Sequence, residues 1–113
     1  MATDIQAKLS NLSMSAQKVR LVVDTVRGKP VVEAINTLKF MTKSAAKPVQ
    51  KLLVSAVSNA EENFGVSRDD LYIYKITADE APTRRWRRFG ARGRFKPILR
   101  RSSHVSVILR ERE

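Results

Sequence analysis

Residues 82–101 read PTRRWRRFGARGRFKPILRR, with nine basic side chains and no acidic one. The cations are Arg84, Arg85, Arg87, Arg88, Arg92, Arg94, Lys96, Arg100 and Arg101; Trp86, Phe89 and Phe95 are interleaved, and Gly90 and Gly93 mark the centre. Strand-like stretches flank the run on both sides, so it reads as a long β-hairpin with its tip near 89–93. Side chains alternate along a strand, which groups Arg84 and Arg88 with Trp86 and sets Arg85 and Arg87 opposite. Both faces are then charged, and neither can lie on an apolar core. The hairpin has to project as an arm of about 30 Å, at roughly 3.3 Å per residue. A free two-stranded ribbon is marginal in water and this one repels itself, so its partner has to bring negative charge.

Outside the arm the chain is ordinary. The whole chain of 113 residues carries a formal charge of +11. Residues 1–81 hold 11 basic and 9 acidic groups, a net of +2, whereas residues 82–113 hold 11 and 2, a net of +9. The length suits one domain, a body of 1–81 and 102–113 with the arm of 82–101 inserted. Ile5–Leu12 alternates as a half-buried strand, with Ile5, Ala7 and Leu9 on one side. Ser15 is placed to cap a first helix, whose stripe is Val19, Val22, Val23 and Val26, and Gly28 to end it. Pro30 opens a second helix, buried through Val31, Ala34, Ile35 and Leu38. Thr42 is expected to cap a third helix, regular from about Pro48 to Asn63, with Ala45, Val49, Leu52, Leu53, Ala56, Val57, Ala60 and Phe64 on its stripe. Gly65 and Ser67–Asp70 signal a turn. Leu71–Ala78 and His104–Leu109 read as strands.

Several function classes fall away. The absence of cysteine removes thiol chemistry and Cys-ligated zinc, and His104 is the single histidine. No metal site and no cofactor are expected. The longest charge-free run in the apolar middle, Leu52–Ala60, is too short to span a bilayer, and the first residues do not resemble a secretory leader. Neighbours such as Glu61–Glu62, Asp69–Asp70 and Asp79–Glu80 do not face one another on a helix or strand, so they make poor catalytic pairs. The expectation is a protein that is not an enzyme.

Nucleic acid is the polyanion that fits. Arginine outnumbers lysine eight to one in the arm, and guanidinium pairs with phosphate and stacks on bases where ammonium acts as a point charge. Trp86, Phe89 and Phe95 can stack on unpaired bases. Lys18 and Arg20 begin the first helix, where a cation opposes the helix dipole and suits an external phosphate. Lys43, Lys47 and Lys51 give the third helix a basic edge. Structured RNA is favoured, and a DNA-binding architectural protein using a basic β-ribbon is the alternative.

Further residues carry a family resemblance. Arg27–Gly28–Lys29 follows helix one, Ser55–Ala56, Asn59–Ala60–Glu61 and Asn63 lie on helix three, Ala91–Arg92–Gly93–Arg94 lies at the tip, and Arg100–Arg101–Ser102–Ser103–His104–Val105 is on the return strand. From about Ile5 to Leu109 the chain resembles the large-subunit ribosomal protein twenty-two family in its short bacterial or organellar form. The resemblance implies an α+β fold, three helices packed on a small three-stranded antiparallel sheet with a long protruding hairpin. It implies a structural constituent of the large subunit that binds 23S-type rRNA, aids assembly and helps to line the nascent-peptide exit tunnel. By the same resemblance Lys18, Arg20, Arg84, Arg85, Trp86, Arg87, Arg88, Arg92, Arg94, Lys96, Arg100, Arg101, Ser103 and His104 contact rRNA. Arg88, Phe89, Gly90, Ala91 and Arg92 form the tunnel-lining tip. Implied partners are rRNA, neighbouring ribosomal proteins and the nascent peptide, with no membrane, for one copy per ribosome in the cytoplasm or an organelle. The chain departs from the family at Ser15–Ala16–Gln17–Lys18, where Ser-Pro-Arg-Lys is common, at Phe89–Gly90, where Pro-Arg is common, and at Pro48.

Overall fold

In the computed structural model, helix α1 spans Ala16–Val26 and its stripe Val19, Val22, Val23 and Val26 is fully buried. Valine is a weak helix former, so packing of this stripe holds the helix. The structure describes residues 4–89 and 95–112, and over 84–89 and 95–100 it describes the backbone pairing. Helix α2 spans Val31–Lys39 and α3 spans Ala46–Asn63. They pack with α1 on one face of a sheet built from β1 (Ile5–Leu12), β2 (Leu71–Glu80) and β5 (Ser103–Glu111), in the order β1-β5-β2, all antiparallel. Strands β3 (Arg84–Phe89) and β4 (Phe95–Arg100) form a separate two-stranded ribbon. The fold is α+β, with a core that joins Ile5, Ile73, Ile76, Val105, Val107 and Leu109 of the sheet to the helix stripes.

The start of α1 falls where the sequence reading places it, and that of α3 does not. Ser15 occupies the N-cap of α1 with extended backbone, but its side chain makes no capping bond. Thr42 does not cap α3: residues 43–46 form a turn closed by Ala46 N–H on the Lys43 carbonyl at 3.1 Å, and Ala45 takes the cap position. Pro48 is then the third residue of α3, where the N–H it lacks has no intrahelical acceptor, so it costs the helix nothing. Phe64, expected on the buried stripe, is 47% exposed beyond the helix end.

The segment Arg27–Gly28–Lys29 closes the free edge of β2. Arg27 is extended at φ −61° and ψ 129°, Gly28 has φ +79°, and Lys29 N–H donates to the Val26 carbonyl at 3.2 Å, the geometry of a type II turn. The Lys29 carbonyl accepts from Ile73 N–H at 3.0 Å, and Pro30 bridges Tyr72. Arg27 reaches the Ile76 carbonyl and Arg20 the Ala78 carbonyl, each at 3.0 Å. An edge strand left open invites pairing with another chain, and side chains from α1 occupy this one.

Candidate nucleic-acid interface

The ribbon register runs unbroken from Arg84 opposite Arg100 to Phe89 opposite Phe95, and includes Arg88 opposite Lys96. Like charges directly opposed destabilise a strand pair, so the ribbon is held together against its own charge. It grows out of the β2–β5 pair. That pairing ends at Glu80 opposite Ser103, Ala81 N–H donates to the Ser102 carbonyl at 3.0 Å, and Ser102 Oγ donates to the Pro82 carbonyl at 3.1 Å. The Cα trace measures 64 × 25 × 19 Å with a radius of gyration of 17.2 Å, against roughly 13 Å for a compact chain of this length.

The expected contact residues fall into three groups. Arg84, Arg85, Trp86, Arg87, Arg88 and Phe89 lie on β3, and Lys96 and Arg100 on β4. Gly90, Ala91, Arg92 and Arg94, and with them most of the expected tip, lie outside the described residues. The remaining five are on the body. Lys18 and Arg101 are exposed. Arg20 is exposed as well, with its Nε committed to the Ala78 carbonyl. His104 is half-buried, and its Nδ1 accepts from Asn11 N–H at 3.0 Å, which puts the proton of the neutral ring on Nε2. Asn11 has φ +57° and sits where β1 gains one residue over β5, between Leu9 opposite Val105 and Leu12 opposite Ser103, so His104 braces a β-bulge.

Ser103 differs from the other expected contact residues on the body in its burial. Inward positions alternate along β5 as Ser103, Val105, Val107 and Leu109, and Ser103 is fully buried, its Oγ without a partner among the described residues. Its hydroxyl is turned from solvent.

Topology gathers the cations at one end of the body. Arg20 meets Ala78 and Arg27 meets Ile76, so α1 runs against β2 with its N-terminus, carrying Lys18, toward the root of the ribbon. Leu12 pairs with Ser103 at that same end, and the first turns of α3, with Lys47 and Lys51, lie beside Leu9 and Leu12. This basic edge was visible in the sequence; its position beside the ribbon was not. At the opposite end are Asp4 before β1, Glu111 closing β5, and Asp69 and Asp70 ahead of β2. Glu61 near the end of α3 joins them through Arg68, at 2.8 Å. Asp79 and Glu80 are the acidic residues of β2 nearest the ribbon.

Among the described residues no helix is long and apolar enough to cross a membrane, and no three His, Cys, Asp or Glu side chains stand close enough to hold a metal ion. The body is basic at the root of the basic ribbon, while at its far end the carboxylates of Asp4, Glu61, Asp69, Asp70 and Glu111 outnumber the cations Arg68, Arg110 and Arg112 that stand among them, an arrangement that suits a polyanion meeting one end and following the arm.

Known proteins are similar to this chain in sequence over nearly its full length. A family model described as "Ribosomal protein L22p/L17e" matches residues 7–110. The large ribosomal subunit protein uL22 of Dehalococcoides mccartyi is 50% identical over 106 residues, covering 94% of this chain and 97% of the relative. That of Caldicellulosiruptor saccharolyticus is 47% identical over 107 residues, covering 95% and 88%. The uL22 of Pediococcus pentosaceus is 45% identical over 111 residues, covering 98% and 94%. The match takes in the three helices, the three-stranded sheet and the ribbon together, and the chain belongs to the L22p/L17e family of ribosomal proteins.

Proposed function

We propose that this chain, by its family a structural constituent of the large ribosomal subunit, binds 23S-type rRNA with the ribbon and the root end of its body. Arg84, Arg85, Arg87, Arg88, Arg92, Arg94, Lys96, Arg100 and Arg101 neutralise phosphates from RNA segments that are distant in sequence, and Trp86, Phe89 and Phe95 stack on unpaired bases. Lys18, Arg20 and His104 extend the contact onto the body. The tip, Arg88 to Arg92, reaches the nascent-peptide exit tunnel. The protein works without catalysis, as one copy in the cytoplasmic ribosome, with rRNA, neighbouring ribosomal proteins and the nascent peptide as partners.

The observation that carries this reading is the charge separation: +9 in residues 82–113 against +2 in residues 1–81, with the ribbon opposing like charges in its own register. A duplex touches a protein from one side, whereas a ribbon charged along both strands is neutralised best by RNA that surrounds it. Co-sedimentation with intact large subunits that survives moderate salt is the expected result. In a competition titration at matched salt, structured rRNA should displace the protein from duplex DNA. Preference for the duplex would overturn the RNA reading.

A further inference from the structure

Between β1 and the first half of α3 lies a groove of about 540 Å³ that the arm does not explain. Its apolar lining is Leu9, Leu12, Pro48 and Leu52. Lys47 and Lys51 line it as well, together with Ser44 and Ser55. None of these eight lining residues is acidic. Leu9, Leu12 and Pro48 remain partly exposed while Leu52 is buried, so the groove keeps apolar surface open to solvent.

Lys47 and Lys51 are one helical turn apart, about 5–6 Å between Cβ atoms, and like charges at that spacing weaken an isolated helix. They sit in the first two turns of α3, and the helix carries no acidic residue in its first turn to offset them. Both lysines are exposed, and neither is in an ion pair among the described residues. The pair is spaced for two neighbouring phosphates of one strand, and half of the residues lining the groove are apolar. The size falls within the range of small-ligand sites, roughly 300–1,000 Å³. Leu12 of the lining pairs with Ser103 at the root of the ribbon, so the groove belongs to the same end of the molecule as the arm.

We propose that this groove seats an unpaired nucleotide of the large-subunit rRNA. The base lies on Leu9, Leu12, Pro48 and Leu52. Lys47 and Lys51 hold the flanking phosphates, and the Ser55 hydroxyl bonds the sugar or the base edge. The site rests on the rRNA-binding reading above and adds to it a second RNA contact, on the side of the body away from α1. Charge complementarity and continuity with the ribbon root favour RNA over an acidic peptide of a neighbouring protein.

A photo-crosslinking residue placed at position 55 of the full chain, assembled into large subunits in cells, tests the proposal. A second probe at position 86 of the ribbon serves as reference. Expected is a crosslink from position 55 to one short rRNA segment that is lost in Lys47→Glu/Lys51→Glu, while the position-86 crosslink persists. A position-55 crosslink to protein, or none, with position 86 still joined to rRNA overturns the groove and leaves the function standing. Failure of both probes to reach rRNA overturns the function itself. Should the position-55 variant not assemble, titration of the purified full chain against large-subunit rRNA decides. Lys47→Glu/Lys51→Glu should weaken binding at least tenfold and flatten the log–log salt slope by about 1.4, two phosphate contacts at roughly 0.7 each for single strands. An unchanged slope and affinity overturn the groove, and a thermal melt like that of the parent chain shows that the variant is folded.

Discussion

Ser103 is a polar atom in an apolar position. Its Oγ is buried with no partner among the described residues, at the point where β5 emerges from the core toward the ribbon. A buried unsatisfied hydroxyl costs about 1–3 kcal/mol, and alanine fits the same space without it. Ser103→Ala is therefore expected to stabilise the free protein by about 1 kcal/mol, read as a rise in Tm. A second residue pair works at the opposite end. Arg110 donates to both carboxylate oxygens of Asp4, at 2.6 and 3.4 Å, and its guanidinium lies 3.3 Å from the centroid of the Tyr74 ring. The hydrogen bond from Arg110 holds the Asp4 carboxyl below its ordinary value. A depressed carboxylate stabilises the fold above the unfolded value, near pH 4, and that contribution is lost as pH falls through the folded value. Asp4→Asn should thus shrink the drop in Tm between pH 5 and pH 3 and leave the rest of the profile alone. The effect is small because the pair is at the surface.

At the scale of elements, one-residue insertions set which side chains face the core. Ile73 pairs with Leu109 and Lys75 with Ile108, so β2 gains a residue at Tyr74. Before it Leu71 and Ile73 are buried; after it Ile76 and Ala78 are. Without the bulge, strict alternation would send Lys75 and Thr77 inward in place of Ile76 and Ala78. Deleting Tyr74 takes out the extra residue and leaves Leu71, Ile73, Ile76 and Ala78 in unbroken alternation, so the shortened chain should still unfold cooperatively by far-UV circular dichroism. Tyr74→Ala, which keeps the length, should unfold cooperatively with a small loss of Tm from the missing Arg110 stack. The bulge in β1 at Asn11 differs in that a side chain, His104, supports it from the neighbouring strand.

For the whole molecule, the body and the ribbon answer to different forces. The core among the described side chains draws on three helices and three strands. The ribbon joins it through residues 81–83 and 101–102, tied by the Ala81–Ser102 and Ser102–Pro82 hydrogen bonds. Replacing residues 84–100 by an Asn-Gly turn should leave a cooperatively folding body with Tm within a few degrees of the parent, since the three helices and the β1-β5-β2 sheet form a core of their own. The shortened chain should fail to enter large subunits in sucrose-gradient profiles. Collapse of the body would mean that the ribbon supports the core; normal incorporation would mean that the body alone directs assembly.

The stripes of α1, α2 and α3, the alternation of β1 and the basic arm are local patterns, and the chain alone determined them. Periodicity says which residues are buried but not against what. That β5, last in the chain, lies between β1 and β2 is a matter of long-range pairing. So is the use of Arg20 and Arg27 to close the β2 edge, across 58 and 49 residues. Ser103 shows the same limit: its neighbours in sequence mark it as part of a polar, basic segment, while its place in the β5 alternation buries it. The arm could be read from its residues because charge on both faces forbids a core contact whatever the rest of the chain does. The separation of a basic root from an acidic far end could not. It arises when α1, α3 and β1 each bring one particular end to the ribbon, and only the packed structure sets those directions.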